Sequence, residues 1–240
     1  MSDQYGEFTE VDVLALGAHP DDVELGCAGT LLSLKSQGQR IAVADMTRGE
    51  MGSRGSVEIR AREASEASRI LGLEYRTNLE LEDANILVNQ ENRRKLVRIL
   101  RQCRPRLVIT HSRGGHPDHG KTAALVEEAV HHAGLARIET GQPRFRPEQI
   151  AYWIVFNQIH TPQVIVDISV HYEQKERAIR AYASQLHDPS AGEPEIYLSR
   201  AEFLDQLRSF QIHLGSLAGC FQGEGFLLSR LPRIQDLSLC

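Results

Sequence analysis

The stretch Val11-Asp12-Val13-Leu14-Ala15-Leu16-Gly17-Ala18-His19-Pro20-Asp21-Asp22 decides the fold. Its apolar run closes on small residues, the pattern of a short buried strand, and the spacing of Leu31, Leu32 and Leu34 makes residues 26–36 a helix. The same order then recurs. Residues 41–46 read as a second strand, and 57–71 as a helix whose apolar face carries Ile59, Ala64, Ala67, Ile70 and Leu71, with Gly72 as its stop. Residues 75–79 are a third strand candidate, 91–103 a basic amphipathic helix, 107–110 a fourth strand after Pro105, and a further helix runs from Asp118 to about His132. Strands and helices alternating at these lengths predict an α/β fold with a mainly parallel sheet covered by helices on both faces. Such sheets bind ligands beyond the carboxyl ends of their strands.

Downstream, a Gly/Pro/Arg-bearing connection over residues 134–147 leads to strand candidates at 150–156 and 164–168 and a helix at 170–185. The turn-rich segment 187–194 reads as a loop beside a pocket. A chain of 240 residues can bury one sizeable core and is short for two large domains, so one domain over 1–240 is expected. A formal charge of -5 with both signs interspersed excludes the basic face of a nucleic-acid binder and favours a small polar substrate. Residues 1–12 are polar and acidic, without the basic start and apolar run of a signal peptide, and no segment approaches a membrane span; the expected location is cytoplasmic. Cys27, Cys103, Cys220 and Cys240 lack Cys-x-x-Cys spacing, so reduced thiols are expected rather than a thiolate zinc site.

Two clusters carry the chemistry: Ala18-His19-Pro20-Asp21-Asp22 and His116-Pro117-Asp118-His119, each following a predicted strand. A catalytic zinc takes three protein ligands and keeps a position for water, and His and Asp are suitable donors. His19 and Asp22, three apart, can meet one ion, and His119 completes the set from the second cluster. Asp21 is then the general base for the bound water, although the spacing also permits the reverse assignment of Asp21 and Asp22. His116 is expected to stabilise an oxyanion or protonate a leaving amine, with Asp118 orienting its ring and favouring its charged form. Each aspartate taken alone would be read as a helix cap; two such clusters at strand ends favour a metal-assisted hydrolase.

Gly115-His116-Pro117-Asp118-His119-Gly120-Lys121-Thr122 also satisfies the phosphate-loop pattern of a nucleotide hydrolase. Pro117 lacks an N–H for the phosphate cradle and Asp118 adds an opposing charge, so Lys121 and Thr122 read better as the first turns of a helix. Two His and a carboxylate also suit an Fe(II) oxygenase, but the second carboxylate and the extra His-Asp pair suit hydrolysis better. A sugar-binding module without turnover would not need every group that hydrolysis requires.

On these two motifs, with Thr47-Arg48-Gly49-Glu50-Met51-Gly52-Ser53-Arg54-Gly55 and Glu224-Gly225-Phe226 in support, the chain resembles the LmbE-like, or PIG-L, family of zinc-dependent N-acetylglucosaminyl deacetylases over nearly its whole length. The resemblance implies a Rossmann-like three-layer sandwich, one Zn2+ per subunit held by His19, Asp22 and His119, Asp21 as base, and His116 assisted by Asp118. It also implies homo-oligomers, often hexamers. Within the family the chain is most similar to the bacillithiol-biosynthesis branch, which implies hydrolysis of the acetamide of N-acetylglucosaminyl-L-malate; broader action on N-acetylglucosamine or chitooligosaccharides is the alternative. Arg54 is expected to grip a sugar hydroxyl or the malate carboxylate, and Glu50 to bind a sugar hydroxyl or cap the next turn. Tyr182, Tyr197 and His160 are candidates for a late residue near the oxyanion, and Cys27 is read as packing.

Overall fold

A computed structural model describes residues 10–155, 160–190 and 192–233. β1 (Val13–Gly17) is buried along its whole length, with Val13 and Ala15 in one core cluster and Leu14 and Leu16 in another. A strand buried on both faces needs a continuous apolar run, which is what this segment supplies. It pairs in parallel with β2 (Ile41–Asp45) and β4 (Leu107–His111), while β3 (Tyr75–Asn78) extends the sheet beyond β2. β5 (Gln149–Trp153) continues in parallel beside β4. The strand order is β3-β2-β1-β4-β5-β7-β6, where β6 is Val164–Asp167 and β7 is Gly223–Leu228. β7 runs antiparallel to both its neighbours, so the sheet is parallel except for this one strand.

Local chemistry sets the helix ends. α2 (Val57–Leu71) starts where Ser56 accepts from Ile59 N and stops at Gly72, whose φ of 63° is left-handed. α3 (Gln90–Cys103) is capped by the Asn89 side chain, and α4 (Pro117–Ala133) opens with proline at a first-turn position that needs no N–H donor. α3 and α4 cover one face through Leu96, Leu100, Leu125 and Val126; α1 (Asp22–Ser36) covers the other through Val23, Cys27 and Leu31, joined by α2 and α5 (Tyr172–Arg180). Each large side chain buried in this way contributes about 1.5–3 kcal/mol. The core thereby holds the carboxyl ends of β1 and β4 side by side. There the chain order reverses direction across the sheet, the switch point at which such folds form a crevice.

Three expectations change. The helix expected over 170–185 is α5 followed by a separate 3-10 turn, Ala183–Gln185, because Tyr182 leaves helical geometry to bury its ring against Ala64 and Ala67 of α2. The strand expected over 150–156 ends at Trp153 in the structure, and residue 156 lies outside the described residues. An unanticipated pair, α6 (Phe203–Ala218) and β7, closes the carboxy-terminal edge, with Phe203 and Leu207 packed on Ile179 and Leu186.

Candidate active site

The loop after β1 turns sharply at Asp21, whose φ of 119° is left-handed although it is not glycine. Such a conformation costs about 1–3 kcal/mol and persists only where surroundings enforce it. Asp21 occupies the N-cap position of α1, but its side chain makes no capping bond. Instead Arg60 of α2 donates from Nη2 to Asp21 Oδ2 at 2.9 Å and to the Pro20 carbonyl. The neighbouring carboxylates therefore diverge, Asp21 toward the guanidinium and Asp22 toward a group of imidazoles.

Asp22 Oδ2 accepts from His19 N at 2.7 Å and lies 3.3 Å from His19 Nδ1, while its Oδ1 is 3.2 Å from His119 Nε2. His111, the last residue of β4, brings Nε2 to 3.2 Å from Asp22 Oδ2, and the same nitrogen accepts the Ala18 N–H at 3.1 Å. Its ring stacks on His119 at 4.0 Å between centroids and meets Trp153 at 4.5 Å. Trp153 can approach so closely because Gly26 of α1 has no side chain; a Cβ there would lie 2.6 Å from the indole. On the far side, His19 Nε2 faces Asp83 Oδ1 at 3.1 Å and Asp118 Oδ2 at 3.4 Å.

Electrostatics follow from this packing. Burial by itself would disfavour a charge on His19, yet Asp118, Asp22 and Asp83 together push its pKa up to about 12. Burial would likewise raise Asp22, but His119 and His111 hold its carboxyl well below the usual carboxylate range. Burial brings His111 down to about 4, so it is a neutral ring, and burial lifts Asp21 to about 7 against the pull of Arg60. Three carboxylates around one imidazole make a place for a cation. Donor atoms converge there in three overlapping sets, each lying within 4.8 Å: His19, His116 and His119; Asp22, His111 and His119; and His19, Asp83 and Asp118. Mixed imidazole nitrogen and carboxylate oxygen is the donor chemistry of zinc and similar divalent ions, so the residues present fit a metal.

The structure brings together His19, Asp21, Asp22, His116 and His119, all lining one cleft of about 530 Å³. Asp118 differs from expectation. Its carboxylate serves His19 Nε2 and Ala84 N rather than the His116 ring, because it sits in the first turn of α4 and points inward. His116 Nδ1 accepts the Asp118 backbone N–H at 3.3 Å and its ring lies edge-on to His19 at 5.2 Å between centroids, while burial together with His19 and His119 lowers its pKa instead of favouring the charged form.

The two expected sugar-binding residues are engaged elsewhere. Arg54 is 4% exposed and donates to the carbonyls of Ser184, Leu186 and Pro194, at 2.9, 3.2 and 3.2 Å, thereby anchoring the loop predicted over 187–194. Glu50 accepts from Arg48 N and Asp83 N, which places it as a brace for the loop carrying Asp83. Neither lines the cleft. Tyr182 is buried away from it, Tyr197 lies on its wall, and His160 is not among its described lining residues. Cys27 packs in the core as expected, and Glu224 accepts from Gly29 N, Thr30 N, Thr30 Oγ1 and the fully buried Lys175 Nζ. Pro117 opens α4 and Lys121 points to solvent, so the phosphate-loop pattern forms no cradle.

Sequence reasoning missed His111, Asp83 and Arg60. His111 was legible as a histidine at the carboxyl end of a core strand next to β1. The other two had no motif and are recruited by the packing of distant elements.

A family model described as GlcNAc-PI de-N-acetylase, PIG-L, matches residues 14–130. The chain is 30% identical over 226 residues to diacetylchitobiose deacetylase of Thermococcus kodakarensis, covering 89% of this chain and 81% of that one. It is also 30% identical over 196 residues to a probable N-acetyl-alpha-D-glucosaminyl L-malate deacetylase 2 of Bacillus anthracis, covering 73% and 82% of the two. Among solved structures, a conserved protein from Thermus thermophilus superposes with a TM-score of 0.85 at 36% identity, covering 95% of this chain and 98% of that one. Among the described residues, no helix is long and apolar enough to cross a membrane. Likeness of this extent, coinciding with the convergence of both His/Asp clusters, shows that the chain belongs to the PIG-L, or LmbE-like, family of deacetylases and is a hydrolytic enzyme.

Proposed function

We propose that this enzyme is a zinc-dependent deacetylase that hydrolyses the acetamide of an N-acetylglucosaminyl conjugate, releasing acetate and the free amine. The observation that carries this reading is that the Asp22 carboxylate lies 3.3 Å from His19 Nδ1 and 3.2 Å from His119 Nε2, beside Asp21 and His116 in one cleft. His19, Asp22 and His119 are the residues that would hold one zinc per subunit, with His111, whose Nε2 accepts the Ala18 N–H, packed behind them and stacked on the His119 ring. Bound zinc supplies Lewis acidity and lowers the pKa of a coordinated water.

The chain's own groups then divide the work. Asp21, with Oδ2 held by Arg60 Nη2, takes the proton of the attacking water and returns it to the departing amine. Its strained backbone holds the carboxylate in the cleft, away from the imidazoles that engage Asp22. His116 accepts a backbone N–H at Nδ1, so the proton of its neutral ring resides on Nε2. That donor can stabilise the oxyanion developing on the acetyl oxygen. Asp118 and Asp83 act through His19, fixing its ring by hydrogen bonds to Nε2.

The N-acetylglucosaminyl-L-malate conjugate is one member of this substrate class, and the likeness to a diacetylchitobiose deacetylase supports an oligosaccharide as a second. Acetate release from both, beside N-acetylglucosamine and with and without a chelator, tests the reading. Chelator-sensitive release from at least one is expected; its absence from all three metal-loaded reactions would overturn the assignment.

A further inference from the structure

The cleft has two unlike ends. One is the His/Asp cluster. The other is built from Ile196 and Leu198 and from one face of α6, where Phe203, Leu207, Phe210 and Leu214 recur at intervals of four, three and four residues. That is the stripe of an amphipathic helix. Phe203, Leu207 and Leu214 are buried, whereas Phe210 is half-buried. The two ends are continuous within about 530 Å³, a size that elsewhere accommodates a ligand considerably larger than an acetamide.

Charge distinguishes the groups this second end can accept. Among the described lining residues the one arginine or lysine is Arg60, already committed to Asp21 and the Pro20 carbonyl. The other charged linings are the acidic Asp21, Asp22, Asp83 and Glu224 and the cationic His19, whose ring lies in the His/Asp cluster at the opposite end and is already paired with Asp22, Asp83 and Asp118. A carboxylate-bearing aglycone would leave water here without a cation to meet it, which is costly. An aliphatic or aromatic group would exchange water for Phe210, Leu207 and Ile196. Of the two glutamines that line the cleft, Gln185 already donates to the Arg54 carbonyl and to Ser184 Oγ, and Gln211 on α6 offers one buried Oε1 unpartnered among the described residues, so a polyhydroxylated group finds a single free amide acceptor here.

We propose that the apolar end of the cleft is the aglycone subsite, and that the enzyme acts on N-acetylated amino-sugar conjugates whose aglycone is aliphatic or aromatic. This rests on the deacetylase reading above and narrows its substrate class. The reacting acetamide lies at the His/Asp cluster while the aglycone on the adjacent anomeric carbon fills the α6 wall.

The test is acetate release by the zinc-loaded full chain from methyl, butyl and hexyl 2-acetamido-2-deoxy-glucosides, with the malate glycoside and diacetylchitobiose alongside. The expected result is a rise in kcat/KM of about fourfold per added methylene that reaches the wall, with the hexyl glycoside hydrolysed faster than the malate one. Phe210→Asp is expected to flatten that dependence. Leu207→Asn is the second variant, and the wild-type series decides the matter even if neither variant folds. Hydrolysis of every glycoside with no dependence on chain length, or a preference for the malate glycoside, would overturn the subsite while leaving the deacetylase reading intact. A flat series accompanied by an oligomer that Phe210→Asp dissociates would assign the wall to a second copy of the chain and equally overturn the subsite. No hydrolysis of any acetamido sugar would sink the deacetylase reading and this proposal with it.

Discussion

The parallel half of the sheet and its carboxy-terminal edge build one cleft from unlike materials. β1, β4 and the loops after them contribute His19, Asp21, Asp22, His111, His116 and His119, with Asp83 entering from the loop after β3. The edge formed by β5, β7 and α6 contributes Trp153, Phe203, Leu207, Phe210 and Leu214. Ionisable groups concentrate where parallel strands end together, and apolar groups where a helix lies over the antiparallel strand. In the proposed division of labour, the first region performs chemistry and the second selects what is presented to it.

The two regions are tied by side chains that cross between them. Lys175 and Glu224 meet at 2.6 Å, fully or nearly fully buried, and Glu224 holds the backbone of α1 at Gly29 and Thr30. Arg54 runs the other way, from the loop after β2 to the carbonyls of the later loop. Moving the edge should therefore disturb the site without altering any ionisable residue in it.

The largest effect is expected from Asp21→Asn, which removes the proposed base alone: turnover should fall about 10²–10⁴-fold while metal content, measured beside acetate release, stays at the wild-type level. Full activity in the metal-loaded variant would break the assignment of chemistry to the first region. Next comes Lys175→Met, which strands the Glu224 charge and should cost about 3–5 kcal/mol in urea denaturation. The double variant Lys175→Met, Glu224→Gln should recover part of that loss. Arg54→Ala tests anchoring against substrate binding. It should lower stability by about 1.5–3 kcal/mol and speed proteolysis between residues 184 and 194 without a selective rise in KM. A raised KM at unchanged stability would return Arg54 to the substrate. Gly26→Ala forces a Cβ against the indole of Trp153, the single tryptophan of the chain, and should cost about 1–3 kcal/mol with a shift in tryptophan fluorescence. The smallest effect belongs to the exposed Arg180–Glu176 pair, where Glu176→Ala should change stability by about 0.5 kcal/mol or less.

Much of the parallel half was legible because each signal there is local. The apolar run of β1, the Ser56 and Gly72 boundaries of α2 and the proline opening α4 each act within one turn or strand. Two histidine–aspartate clusters at strand ends announced the site for the same reason. At the edge, β5 and β6 were legible as strand candidates, but α6 and β7 were not. α6 and β7 form a helix and a strand whose pairing partners lie far back along the chain in β5 and β6, and no short motif encodes that β7 inserts between them. Arg54 and Glu50 could not be placed from sequence because a Gly/Ser-rich loop states which groups it carries but not which backbone atoms will meet them: Arg54 meets carbonyls, and Glu50 takes backbone N–H groups, nearer its capping reading than its sugar-binding one. Asp118 was paired with the wrong histidine because neighbours in sequence at a helix start point in different directions.

The sequence by itself determined the alternation of strand and helix, the parallel core and the two clusters of donor side chains, since each depends on hydrophobic period or on the identity of a few adjacent residues. Only the tertiary structure decided that His111, Asp83 and Arg60 join those clusters, that Arg54 holds a loop, and that the cleft continues into an apolar wall. Those outcomes arise from the close packing of elements remote along the chain, and such packing depends on shape in three dimensions rather than on any local pattern.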